Sequence, residues 1–151
     1  MKLAEALVLR ADLAKRLEQI KARLQRNAKA QEGEEPAEKP DDLVAEFERA
    51  AAEFVTLIAN INLTNAAAAV DSRTLTAALA ERDVLRLRQA MYRDLAQAAT
   101  ITQSITTRSE VRFRPTISVA ETQRKADELA KELRELDTRI QQINWNVELH
   151  E

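Results

Sequence analysis

The chain has 151 residues and is poor in the residue types that make tight turns and strands, with one glycine, three prolines and 3% aromatic residues. β-Sandwiches and barrels need frequent turn residues and strands of β-branched or aromatic residues. Rossmann and P-loop nucleotide sites need closely spaced glycines. The composition therefore excludes these classes. Because 45% of the residues are hydrophobic and the net charge is only −2, we predict an ordered all-α protein.

The charge and the cysteine content exclude further classes of function. A net charge of −2 gives no general footprint for nucleic acid, and the absence of cysteine removes disulfides, thiolate zinc sites and cysteine nucleophiles. Charged residues in the first turns argue against a signal peptide. The longest uncharged stretch, residues 54–70, contains three asparagines and is too polar for a membrane span. We expect a cytoplasmic protein without a nucleic-acid partner.

The first predicted helix covers residues 2–27. Apolar residues recur along it at alternating spacings of three and four, the heptad pattern of coiled coils, and only Arg10 interrupts them. These positions are Leu3, Ala6, Leu13, Leu17, Ile20 and Leu24. An acidic loop over residues 28–40 follows and contains the only glycine, Gly33, and two of the three prolines.

The second predicted helix covers residues 41–70, with Asp41 or Asp42 as its capping residue after Pro40. It carries two neighbouring apolar stripes, which predict a wide buried face. The main stripe is Leu43, Phe47, Ala50, Phe54, Leu57, Ile61, Thr64 and Ala68. The second stripe is Val44, Ala51, Val55 and Ile58.

The third predicted helix covers residues 74–105 and follows a short turn at residues 71–73, which predicts that helices two and three are antiparallel neighbours. Its predicted core stripe is Ala77, Ala80, Val84, Leu87, Met91, Asp94, Ala98, Ile101 and Ile105. A second stripe is Leu75, Ala78, Arg82, Leu85, Gln89 and Tyr92. Within residues 106–117, Val111 and Phe113 alternate with Arg112 and Arg114, which predicts a short strand or an extended basic arm.

The fourth predicted helix covers residues 118–147 and has the strictest heptad pattern. Ser118 and Glu121 form a capping box at its start. Its apolar stripe is Val119, Thr122, Ala126, Leu129, Leu133, Leu136, Ile140, Ile143 and Val147. Together the four helices predict a single domain, residues 1–151, folded as an elongated up-down antiparallel four-helix bundle with coiled-coil-like packing.

In such a bundle the acidic loop and the basic arm lie at the same end. Residues 31–42 carry six acids against one lysine, whereas residues 108–114 carry three arginines against one glutamate. Two alternatives are open: the loops dock on each other, within or between subunits, or they are independently solvated. The candidate interaction residues are Glu34, Glu35, Arg112, Phe113 and Arg114.

At the other end, the helix two–three turn and both chain termini bring polar residues onto apolar faces. These residues are Asn62, Asn65, Arg82, Asn144 and Trp145. Buried amide and guanidinium groups are costly unless their hydrogen bonds are made. The cluster is therefore a structural polar layer that fixes register and oligomeric state, a binding site for a small polar or anionic ligand, or a solvated end.

The sequence contains few residues in patterns that would support catalysis. The single histidine, His150, lies next to the C-terminal residue, so neither a His-based triad nor a Glu-x-x-His di-iron site can be assembled. Carboxylates on the predicted helix exteriors mostly have Lys or Arg three or four residues away. We predict no catalytic residue, no cofactor and no metal site, and hence no enzyme.

Several segments together resemble a family of small bacterial helical proteins that is often called septicolysin-like. They include Arg26-Asn27-Ala28, Gln31 to Pro36, Ile61 to Asn65, Leu75 to Asp83, Arg134 to Gln141 and Asn144-Trp145. The resemblance covers nearly the whole chain and implies a shared helical fold without an established activity. The family label suggests a cytolysin, but the sequence has no membrane-length span and no lysine-rich amphipathic face with aromatic anchors.

The apolar stripes exceed what four thin helices need for one core. We therefore predict a non-enzymatic structural or interaction protein that forms a homo-oligomer. The alternative is a module that binds a small polar or anionic ligand at the end formed by the helix two–three turn and the termini. A cytolysin-like toxin is the weakest alternative.

Overall fold

The structure is a computed structural model that describes residues 1–102 and 112–150. The described residues form four α-helices and one two-stranded β-hairpin, which confirms the all-α helical bundle. The elements are α1 (Leu3–Asn27), α2 (Pro40–Ala67), β1 (Ala69–Val70), β2 (Arg73–Thr74), α3 (Leu75–Ala99) and α4 (Val119–Asn146). The chain divides into two compact units, and the predicted single domain stays a prediction. Unit 1 is Met1–Ala69 with Gln142–Glu151, and unit 2 is Val70–Gln141.

In unit 1, α1 and α2 pack against each other in antiparallel orientation. Ile20 of α1 and Leu43 and Ala50 of α2 form the buried centre, and Leu17, Leu24 and Phe47 pack around it. These residues belong to the predicted heptad stripes of the two helices, which are confirmed as core stripes. The second α2 stripe was only partly right, because Val44 and Val55 are exposed while Ala51 and Ile58 are half-buried.

The start and end of α2 differ from the prediction. The helix begins at Pro40, whose fixed φ suits a first helical position, and Asp41 and Asp42 occupy the first turn instead of capping it. Their carboxylates interact favourably there with the positive end of the helix dipole. The helix ends at Ala67 because Ala68 adopts extended backbone, with φ −67° and ψ 142°, before the hairpin begins.

In unit 2, Thr74 caps α3, since its hydroxyl accepts a hydrogen bond of 3.2 Å from the backbone N–H of Ala77. The helix ends at Ala99, earlier than predicted. The Thr100 hydroxyl donates back to the carbonyl of Ala96 at 2.8 Å, and the Thr100 backbone is extended. The rest of the predicted helix, residues 103–105, lies outside the described residues.

The predicted core face of α3 was wrong. Leu75, Ala78 and Leu85 of the second stripe are buried, whereas the predicted core stripe is exposed from Ala77 to Ile101. Both stripes have heptad spacing, so periodicity alone does not choose between them. The hairpin fixes the choice, because the fully buried side chains of Val70 and Leu75 set the rotation of the first α3 turn.

The predicted stripe of α4 is confirmed, since every one of its nine positions is buried or half-buried. Ser118 is confirmed as the cap, with its hydroxyl accepting from the N–H of Glu121 at 3.3 Å. Of the predicted basic arm, residues 112–117 have no regular secondary structure, and residues 106–111 lie outside the described residues.

Candidate functional site

One side of α3 presents a long apolar surface to solvent, which we call the α3 apolar face. Its members are Ala77, Ala80, Val84, Leu87, Met91 and Ala98, with Asp94 in the same row. Spacings of three and four residues place them on one side of the helix. The row from residue 77 to residue 98 extends about 32 Å at 1.5 Å per residue.

The three large side chains at the centre of this face are all exposed. Val84 is 53% exposed, Leu87 is 72% exposed and Met91 is 49% exposed. Single exposed apolar residues are ordinary, but a continuous row of them is typical of a surface that binds a protein partner. The sequence contained this row, and only the rotation of α3 shows that the row faces solvent.

Charged side chains border the α3 apolar face. Asp83 and Arg86 form an exposed ion pair at 3.8 Å. Glu81 binds Arg73 of β2, with 2.8 Å between Oε2 and Nε. Arg88 has no ion-pair partner among residues 1–102 and 112–150. Both signs of charge therefore lie beside the same apolar row.

On the opposite, buried side of α3, Arg82 lies between two carboxylates of unit 2. Its Nη1 is 3.5 Å from Oδ1 of Asp137 on α4, and its Nη2 is 3.5 Å from Oδ1 of Asp83. The Nε atom is buried without a hydrogen-bond partner in the described part of the chain. Arg82 is thus half-buried, and the protein itself supplies its anionic partners.

The hairpin contains a second charged cluster, which was not predicted from the sequence. Asp71 adopts a left-handed backbone conformation, with φ of 55°. Its Oδ2 is 3.7 Å from Nη1 of Arg73 and 3.3 Å from Nε of Arg139 on α4. The available signal was the Asp-Ser pair between two short extended segments, since Asp tolerates left-handed turn positions better than most residues.

The predicted polar cluster is divided between the two units. Asn62, Asn65, Asn144 and Trp145 belong to unit 1, whereas Arg82 belongs to unit 2. Asn144 is buried, Asn65 is half-buried, and Asn62 and Trp145 are exposed. The polar layer and the ligand site both stay predictions.

Within unit 1, the C-terminal residues do meet the end of α2 through a residue that the prediction had placed in the apolar stripe. Thr64 is fully buried, and its hydroxyl accepts from the backbone N–H of His150 at 2.9 Å. The same hydroxyl donates to the carbonyl of Asn60 at 2.7 Å. Both hydrogen-bonding roles of this buried hydroxyl are therefore filled.

The two chain termini also meet in unit 1, as predicted. The N–H of Leu3 donates to the carbonyl of Val147 at 3.0 Å, and the N–H of Leu149 donates to the carbonyl of Met1 at 2.8 Å. Lys2 lies 2.6 Å from the carboxylate of Glu148. Its ammonium group, together with the N-terminal amine, lowers the pKa of Glu148 below its usual value.

The acidic loop is anchored to α1 by a residue that the prediction did not single out. The guanidinium of Arg23 forms a bidentate ion pair with Glu38. The backbone N–H of Glu38 donates to Oδ1 of Asn27 at 3.0 Å. The hydrogen bonds from Arg23 lower the pKa of Glu38 and raise that of Arg23. Glu34 and Glu35 are exposed.

The three basic-arm candidates, Arg112, Phe113 and Arg114, are exposed as well. The docking of the acidic loop on this arm stays a prediction. Over residues 1–102 and 112–150, no group of three or more His, Asp or Glu side chains is arranged to hold a metal ion. None of the four described helices combines the length and the apolar character that crossing a membrane requires.

Comparisons with known proteins agree with the fold. A crystal structure described as a functionally unknown conserved protein from Corynebacterium diphtheriae is similar to this chain, with 38% sequence identity and a TM-score of 0.92. The similarity covers 99% of each chain. No curated protein sequence matches the chain significantly. The family model that does match spans residues 10–149, and the chain therefore belongs to DUF6847, a family of unknown function.

Proposed function

We propose that the protein is a non-enzymatic structural or interaction protein that assembles into a homo-oligomer. The observation that carries the proposal is the α3 apolar face, a row of about 32 Å in which Val84, Leu87 and Met91 are largely exposed. Removing apolar surface from water contributes about 25 cal/mol per Å². Covering this row in an assembly is therefore favourable.

A second copy is a suitable partner because the edges of the α3 apolar face carry both signs of charge. Acidic residues Glu81 and Asp83 lie towards the start of the row, and basic Arg88 lies five to seven positions further along. A symmetric dimer requires a surface that is complementary to itself. A face bordered by one sign of charge alone would favour a partner of the opposite sign.

The alternative of a binding module for a small anionic ligand has weaker support. The guanidinium proposed to bind the anion, that of Arg82, already faces Asp137 and Asp83. An incoming anion would have to displace these carboxylates or share the guanidinium with them. A cytolysin function rests on the family label of the sequence resemblance alone.

The test is the mass of the full chain in solution, measured by size-exclusion chromatography with light scattering at several micromolar concentrations. We expect a mass of two or more chains of 17.0 kDa each. A mass of one chain at every concentration would refute the proposal.

A further inference from the structure

We infer that α3 pairs with α3 of a second copy in antiparallel orientation, around a two-fold axis near residues 85 and 86. This inference rests on the proposed function, since it names the surface through which the copies associate.

The spacing of the α3 apolar face is that of a coiled-coil stripe. Positions 77, 84 and 91 alternate with positions 80, 87 and 94 at steps of three and four, which lets one helix pack along another with side chains in register. In an antiparallel pair centred between residues 85 and 86, Val84 lies opposite Leu87 of the second copy. Ala80 lies opposite Met91, so that the largest side chain of the row meets one of the smallest.

Asp94 selects the antiparallel orientation. In a parallel pair the two Asp94 carboxylates would lie in the same layer of the apolar stripe, where like charges repel each other in a partly desolvated setting. In the antiparallel pair Asp94 lies opposite Ala77 at the end of the stripe. The two Asp94 residues are then about 25 Å apart along the helix axis, from 17 residues at 1.5 Å each.

The charges at the edge of the face fit the same register. Antiparallel packing places Glu81, whose carboxylate also binds Arg73 of its own chain, beside Arg88 of the second copy. The two-fold axis makes this contact twice. Arg88 has no ion-pair partner in the described part of its own chain. Exposed pairs of this kind contribute little affinity but favour the correct register.

The interface is tested by introducing a charge into the apolar row. Leu87→Glu places a carboxylate at the centre of the predicted contact, and because Leu87 is exposed the variant is expected to fold with the wild-type helix content. The matched control is Val55→Glu on α2, where another large exposed apolar side chain is replaced in the same way. We expect Leu87→Glu to halve the mass of the dimer and Val55→Glu to leave it unchanged.

The orientation is tested by disulfide cross-linking. Because the chain contains no cysteine, only the introduced thiols can form disulfides. A mixture of the Ala80→Cys and Met91→Cys variants is expected to form a cross-linked heterodimer under mild oxidation. Ala98→Cys alone is expected to stay uncross-linked. In the antiparallel pair the two introduced thiols lie about 37 Å apart along the axis, and a disulfide bridges Cα atoms no more than about 7 Å apart.

A charge exchange tests the register. Arg88→Glu weakens the dimer by placing Glu81 of one copy beside a second acid, and the double variant Glu81→Arg with Arg88→Glu restores it. Restoration by Asp83→Arg with Arg88→Glu instead would indicate parallel packing and overturn the inference.

The outcomes separate this inference from the proposed function. A monomeric wild-type protein overturns both. A wild-type dimer that survives Leu87→Glu, or that dissociates with Val55→Glu, overturns the inference and leaves self-association standing. Cross-linking of Ala98→Cys with itself overturns the antiparallel orientation.

Discussion

Two leucines of α3, two positions apart, provide a direct measure of which face of this helix supports the fold. Leu85 is 5% exposed and Leu87 is 72% exposed. Replacing each by alanine makes the same chemical change in the same helix, so the difference in helix propensity cancels. The heptad pattern alone assigns Leu87 to the core, whereas the structure assigns Leu85.

The expected magnitudes differ severalfold. A buried Leu→Ala substitution costs about 2–5 kcal/mol, because it loses transfer free energy and leaves a cavity, whereas an exposed one away from special contacts stays within about 0.5 kcal/mol. For a chain of this size 1 kcal/mol shifts the melting temperature by about 2–4 °C. With a cost of about 3 kcal/mol, Leu85→Ala is expected to lower the melting temperature by about 6–12 °C.

The assay is thermal unfolding followed by circular dichroism at several protein concentrations. At the lowest concentration, where the proposed dimer is dissociated, Leu87→Ala is expected to melt within about 2 °C of the wild type. At higher concentration the difference in melting temperature between Leu87→Ala and the wild type is expected to grow. The reason is that association stabilises the folded wild type and is weaker in the variant. Equal destabilisation by Leu85→Ala and Leu87→Ala at high dilution would refute the assignment of the two faces.

Three further predictions concern the polar contacts. Glu38→Gln is expected to lower the melting temperature at pH 7 and to lose this effect in acid. The ion pair between Arg23 and Glu38 contributes fully to the free energy of unfolding above the ordinary carboxyl pKa of 4.5. This contribution disappears as the pH falls through the lower pKa of Glu38 in the folded protein. A difference in melting temperature that does not change with pH would contradict this. Asp71→Val is expected to cost about 1–2 kcal/mol more than Asp71→Asn in urea unfolding, since a β-branched residue resists the positive φ. Thr64→Val is expected to cost about 0.5–1.5 kcal/mol, because it removes the buried hydroxyl that accepts from the N–H of His150. The exposed variant Thr56→Val is expected to change stability little in the same assay.

The sequence predicted most of the fold because three of the helices have their strongest apolar stripe on the buried side. In α4 all nine stripe positions are buried or half-buried, and no competing apolar stripe exists on that helix. The ends of helices were less accurate. Whether α2 continues past Ala67 depends on the hairpin that follows, and heptad spacing carries no information about that hairpin.

The sequence could not predict the rotation of α3, because this helix has two stripes with the same period. The row with Val84, Leu87 and Met91 is more apolar than the row with Arg82 and Gln89, and apolar content alone therefore selects the wrong side. Tertiary contacts outweigh this preference. They include the buried hairpin residue before the helix and the Arg82–Asp137 ion pair between α3 and α4.

The inverted burial of α3 is itself an argument for assembly. An isolated chain gains most by burying its more apolar row, since transfer from water scales with apolar area and a buried arginine must be compensated by partners. This chain instead buries the row that contains Arg82 and supplies Asp137 as its partner. Leaving the more apolar row outside is favourable overall when a second copy covers it. In the proposed dimer, the same rotation of α3 provides one face for the fold and the other for the interface.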